Sequence, residues 1–285
     1  VRRHVTAYGF LSAALVVFAV FSWWPVVRGV VLSFQQVNFV TSPDWVGWEN
    51  FERLFADPLF VVAWRNTAYF TVLALVIGFG VPFLTAVVLN ELQHAKGYFR
   101  LLVYLPVMLP PVVTALLWKW FYDPGPGLFN SVLRGLGLPT SQWLDSSSTS
   151  MISLVLVITW ANMGSATLIY LAALQTIPGE LYEAADLDGA GIGKKIWHVT
   201  IPQTKFVILM LLLLQVVATM QIFTEPYVMT GGGPEESTVT VLLLLYRYAF
   251  YYNDFGTASA LSLILFAVLG VFSFLYLKIT RKADA

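Results

Sequence analysis

EAADLDGAGIGKKIWHVTIP, residues 183–202, is a polar loop and the most informative stretch in a chain that is otherwise overwhelmingly apolar. Pro178, Gly179 and Glu180 open it with a turn or helix-start signal. Glu180, Glu183 and Asp186 then fall in the opening turns of a short helix, where acidic side chains favour the positive end of the helix dipole. Ala184 and Ala185 permit close helix approach. Gly189, Gly191 and Gly193 are expected to break that helix and allow a tight turn. A second, amphipathic helix follows on Ile196, Val199 and Thr200, with Trp197 and Ile201 beside them, and Pro202 is expected to end it. The product is a helix–turn–helix with small residues at its bend, a shape suited to a socket in a partner protein.

The surroundings explain why such an element stands out. Of 285 residues, 58% are hydrophobic and 11% charged, against about 25% charged in soluble domains. The apolar residues come in long blocks without period-2 alternation. Crossing a bilayer takes about 20 such residues in a helix. Six blocks qualify, at 5–32, 67–89, 101–121, 151–174, 206–225 and 257–277, and the fold class expected is an all-α integral membrane protein with six transmembrane helices. Arg2, Arg3 and His4 before the first block resemble a signal peptide, but the apolar run is too long and lacks a small-x-small site, so a retained anchor helix is the reading. Lys and Arg set the orientation. With the N-terminus inside, ten fall on inner segments and six on outer ones, which places both termini and the 175–205 loop in the cytoplasm.

Prolines interrupt several spans: Pro25 in the first, Pro82 with Gly78 and Gly80 in the second, and Pro106, Pro110 and Pro111 in the third. In lipid the carbonyls they free need other partners, so these helices belong inside a bundle or beside a cavity. Polar residues within the later spans, Asn162, Gln215, Thr219 and Gln221, are candidates to bond a solute's hydroxyls. Trp160, Tyr170 and Phe223 are candidates to stack on a sugar ring. The competing reading for each is interhelical bonding.

Other chemistries find little support. The chain has no cysteine, which removes disulfides and thiolate sites. DGAGIGKK, residues 188–195, fails as a phosphate loop because Asp188 stands where the first glycine is needed and Lys195 where Ser or Thr is needed. His4, His94 and His198 have no metal-ligand spacing. No basic stripe suggests nucleic acid. Carboxylates are missing from the predicted hydrophobic cores, with Glu225 at an outer end, which argues against proton-coupled transport.

The segment 183–202 resembles the signature of permease subunits of type I ABC importers: Glu183, Ala184 and Ala185, two residues, then Asp188, Gly189 and Ala190, and later an apolar run closed by Pro202. Ile196, Val199 and Ile201 depart from the commonest family residues but keep the apolar face. WVGWENFERLFADPLFVVAWRNT (45–67), YLPVMLPPVVTALLWKWFYDPGPGLFN (104–130) and VMTGGGPEESTVTVLLLLYRYAFYYNDFGTASALS (228–262) are similar to the carbohydrate-uptake branch, with its maltose-type and glycerol-phosphate-type subunits. The resemblance implies the type I permease fold, with cytoplasmic coupling helices between helices 4 and 5. It implies a second homologous permease subunit, two ATPase subunits that bind the ATP and magnesium, and an extracytoplasmic sugar-binding protein. No cofactor is expected in this chain. The loop would dock in a cleft on an ATPase subunit, with Glu183 as a polar contact and Gly189 as a bend admitting close approach. On this reading 1–63 form an N-terminal helix and extracytoplasmic loop, 64–278 the transmembrane domain, and 279–285 a cytoplasmic tail. A permease of the same type for a non-sugar solute, such as an amino acid or an anion, is the alternative.

Overall fold

The computed structural model describes residues 2–37, 42–92 and 94–282, so the last three positions of the expected tail lie outside the described residues. Five helices are long and apolar enough to cross a membrane: Tyr8–Leu32, Pro58–Glu91, Ser150–Leu174, Ile192–Met220 and Phe255–Thr280. A sixth span is a bent pair, Lys96–Met108 and Pro111–Phe121, whose axes differ by 98°. The protein is a multi-pass membrane protein. Large apolar side chains such as Phe10, Phe21 and Phe274 are exposed along the spans, as helices whose solvent is lipid require.

Single prolines did not break these helices, and the reason is local. A proline within a helix removes a donor and collides with the carbonyl four residues back, at a cost of about 3 kcal/mol. For Pro25, Pro82 and Pro202 that carbonyl belongs to Phe21, Gly78 and His198. Each of these lies in a π-helical turn, Ala19–Trp23, Ala74–Gly78 or Ile196–Thr200. The wider turn shifts the ladder by one residue: Trp24 N–H donates to the Ala19 carbonyl, and Ile201 N–H to that of Ile196. Pro202 therefore does not end the second helix of the polar loop. That helix runs unbroken into the fifth span, Ile192–Met220, which starts well before the expected 206 and stops before 225. Pro110 and Pro111 behave differently. A residue before proline is pushed to extended backbone, and here Leu109 (ψ 136°) and Pro110 (ψ 134°) both precede one. Two consecutive extended residues turn the third span through its corner.

Two compact units make up the fold: 1–61 with 244–274, and 62–243 with 275–285. In the first, a two-residue antiparallel pair, Gln35↔Trp45 and Gln36↔Asp44, is a small departure from an all-α chain. Fully buried Asn50 donates from Nδ2 to the carbonyls of Ser33 and Gln35, both at 2.9 Å. Asp57 caps the helix at Pro58 through Leu59 N–H (2.8 Å) and accepts from the Tyr248 hydroxyl. Asp254 likewise caps the last span through Thr257 N–H (3.0 Å) and binds Arg53 Nη1 at 2.8 Å. Each carboxylate that starts a span is thus held by the segment that carries the other.

In the second unit, Phe70, Ala74, Leu154, Val155 and Val157 form one core cluster, and Phe83, Ala86, Tyr170, Leu171 and Leu211 another. Asn66 Nδ2 donates to the Glu236 and Val239 carbonyls at 2.8 and 3.1 Å, fixing the TGGGPEEST stretch to the second span. Gly164 sits against the third-span helix, where an added Cβ would lie 2.5 Å from the Val103 carbonyl oxygen and 3.0 Å from Tyr104 Cα. Both obstacles are backbone and cannot rotate away. Gly164→Leu is expected to lower the melting temperature of the purified protein, a loss of about 1–3 kcal/mol. Gly270→Ala, inside a helix and with open space at its Cβ, should not lower it.

Candidate functional site

The 183–202 segment folds into a tip closed by hydrogen bonds. Its first helix is Gly179–Leu187. Gly189 follows at φ +70°; its N–H donates to the Asp186 carbonyl at 3.0 Å, and Ala190 N–H to that of Ala185 at 2.9 Å. This is a Schellman closure with glycine in the left-handed position. It explains Asp188, Gly189 and Ala190 as a unit: a Cβ at 189 would meet nothing within 4 Å, so within this chain the backbone angle, not crowding, calls for glycine. Gly191 is the N-cap of the next helix, and Gly193 lies inside that helix, Ile192–Lys195, without breaking it.

Polar contacts fasten the tip to the foot of the fifth span. Lys195 Nζ pairs with Asp186 Oδ1, and the Tyr182 and buried Thr200 hydroxyls are 3.1 Å apart. Meanwhile Glu183, Ala184, Asp188 and Gly189 remain exposed, Ala185 and Ala190 are half-buried, and Pro202 is exposed on the continuing helix. Leu187 is 90% and Ile192 76% exposed. Two apolar side chains so fully presented beside the turn were not singled out in the sequence. Their signal was an apolar residue on each side of the DGAG turn.

The second site is a cavity of about 470 Å³ lined by three spans of the same unit. Asn162, Tyr170, Gln215 and Thr219 line it; Trp160, Gln221 and Phe223 do not. Trp160 packs on Trp118 with ring centroids 5.4 Å apart. Gln221 lies past the end of its helix and donates back to the Val217 carbonyl at 3.1 Å. Phe223 stacks on Tyr227 at 5.2 Å. Among the lining groups, Asn162 and Thr219 bond carbonyls of their own helices, at 3.0 Å to Ile158 and 2.8 Å to Gln215. Gln215 instead crosses to the second span, where Nε2 donates to the Ala74 carbonyl at 3.0 Å. Tyr170 is 1% exposed, and among the described residues its hydroxyl has no hydrogen-bond partner. Gly78 lets the second and fourth spans close on the cavity: its Cβ would sit 2.6 Å from Thr159 Oγ1.

Residues 78–283 match the family described as "Binding-protein-dependent transport system inner membrane component". The chain belongs to this family. It is 36% identical over 282 residues to the probable ABC transporter permease protein YurN of Bacillus subtilis, covering 97% of this chain and 96% of the relative. The sulfoquinovosyl glycerol transport system permease protein SmoG of Agrobacterium fabrum is 32% identical over 280 residues, 96% of this chain and 90% of the relative. Among solved structures, a bacterial ABC transporter involved in the import of the acidic polysaccharide alginate superposes with a TM-score of 0.88 at 25% identity. That superposition covers 99% of this chain and 96% of the other. In this family member the second half of the motif segment and one wall of the cavity therefore lie on one continuous helix, Ile192–Met220.

Gln215→Met keeps the side chain's length but leaves the Ala74 carbonyl without its partner. Melting of the purified protein should report a loss of about 1 kcal/mol, the scale of polar contacts between membrane helices. Gln221→Met, at an exposed amide bonded within its own segment, should show no loss.

Proposed function

We propose that this chain is the membrane-spanning permease subunit of an ATP-driven, binding-protein-dependent carbohydrate importer. It forms half of the translocation pathway beside a second homologous permease subunit. Two separate ATPase subunits bind ATP and magnesium and hydrolyse the ATP. An extracytoplasmic binding protein delivers the solute. The observation that carries the reading is the tip. The seven residues of the family signature, Glu183, Ala184, Ala185, Asp188, Gly189, Ala190 and Pro202, fall on the short helix Gly179–Leu187, on the closed, exposed turn that ends it, and on the helix that leads from the turn to the cavity wall. The balance of Lys and Arg supports a cytoplasmic tip and cytoplasmic termini in the cell's inner membrane. The carbohydrate assignment leans on the names of the relatives, one a sulfoquinovosyl glycerol permease, and on the alginate importer.

On this reading the ATPase subunits grip the tip around Leu187 and Ile192 and pull it as they close on ATP. The cavity, with Asn162, Tyr170, Gln215 and Thr219 in its wall, belongs to the solute pathway. Trp160, Gln221 and Phe223 would contribute only from elsewhere along it.

Two measurements test the proposal. The chain purified alone should hydrolyse no ATP. Assembled with its partners in liposomes, it should gain ATP turnover when solute-loaded binding protein is added; turnover by the isolated chain would sink the model. Replacing Gly189 tests the tip. A side chain in left-handed backbone costs about 1–2 kcal/mol, least for Asn. Gly189→Val should cut uptake about 10-fold at unchanged membrane levels while Gly189→Asn retains most of it. Equal uptake by Gly189→Val and the parent would count against the coupling role.

A further inference from the structure

The helix Ile192–Met220 joins the two sites described above, and one polar bond ties its far end to another span. Ile192 and Gln215 are 23 residues apart in it, roughly 35 Å at 1.5 Å per residue. The tip is fastened to its foot by the Lys195–Asp186 pair and the Tyr182–Thr200 contact, so displacement of the tip moves the foot with it. At the cavity, Gln215 Nε2 holds the Ala74 carbonyl at 3.0 Å. Ala74 is the first residue of the π turn Ala74–Gly78. A primary amide among apolar side chains is costly to leave unmade, so the two helices favour discrete joined and separated positions over a graded slide.

Resting on the proposed coupling role, we infer that the Gln215–Ala74 hydrogen bond is a releasable latch. It holds the lever that starts at the tip against the second span, and it must open for the transporter to cycle. Gln215 is a positioning residue here: it sets the balance between two arrangements of the pathway. Removing it shifts that balance by the strength of one interhelical bond, on the order of 3- to 15-fold.

The chain has no native cysteine, so a cysteine pair can be introduced without background. The test uses the assembled transporter with its ATPase and partner permease subunits in liposomes, with MgATP as the probe. In Gln215→Met, basal ATP turnover should change by about 3- to 15-fold with the KM for ATP unaltered. A merely structural residue would lower the melting temperature and leave turnover as it was. In Ala74→Cys with Gln215→Cys, bridging the pair with a short thiol-cleavable reagent should stop turnover, and reduction should restore it. Unchanged turnover in Gln215→Met, or full turnover in the bridged protein, overturns the latch. If instead the parent complex forms and hydrolyses ATP identically with the tip variant Gly189→Val, the coupling role itself fails, and the two failures are distinguishable.

Discussion

Each backbone carbonyl inside a membrane must find a donor within the protein, and proline removes donors. How this chain meets that constraint shapes everything else in it. Pro25, Pro82 and Pro202 each have the carbonyl they threaten inside a π turn. The helix widens by one residue and goes on. Three rods survive that prolines would otherwise cut, and the one through Pro202 carries the tip. Where two prolines stand together, at Pro110 and Pro111, no single extra residue can absorb both, and the span turns a corner instead. The same residue type thus yields a rod or an elbow according to its neighbour.

The tip shows a second economy. Its DGA triplet is needed by the fold as much as by any partner: Asp188 ends the helix, Gly189 supplies the left-handed angle, and Ala190 returns a hydrogen bond to Ala185. Closing these bonds internally leaves Leu187 and Ile192 pointing outward with little freedom to fold back. The tip is held by backbone bonds, one ion pair and the Tyr182–Thr200 contact, not by a core of its own, and the proposed docking role would need that rigidity to transmit force.

Much of this was legible in the amino-acid sequence. Blocks of twenty apolar residues announced the spans, and the signature at 183–202 announced the tip. Two things were not. Pro202 read as a stop because the rule for proline assumes an α ladder; nothing in IWHVT, residues 196–200, advertises a π turn. The cavity was half legible. Polar residues within a span can be picked out by composition, but which face they occupy depends on packing against helices far away in sequence. Asn162, Tyr170, Gln215 and Thr219 face the cavity; Trp160 was already engaged with Trp118. Gln221 and Phe223 fell beyond a helix that ends at Met220, earlier than its hydropathy suggests.

The paired carboxylates at Asp57 and Asp254 have a consequence for how the chain is made. Arg53 and Asp254 are 201 residues apart, and Tyr248 is 191 residues from Asp57. Both bonds close only after the ribosome has passed residues 248 and 254. Until then Arg53 has only Glu49, four residues away, to pair with, and Asp57 lacks the Tyr248 hydroxyl. The first unit therefore cannot close until residues 248–254 are made, although its N-terminal half is translated first, and a chain arrested before residue 248 leaves it open. Loss of a late residue at this clasp would be felt in the earliest part of the molecule.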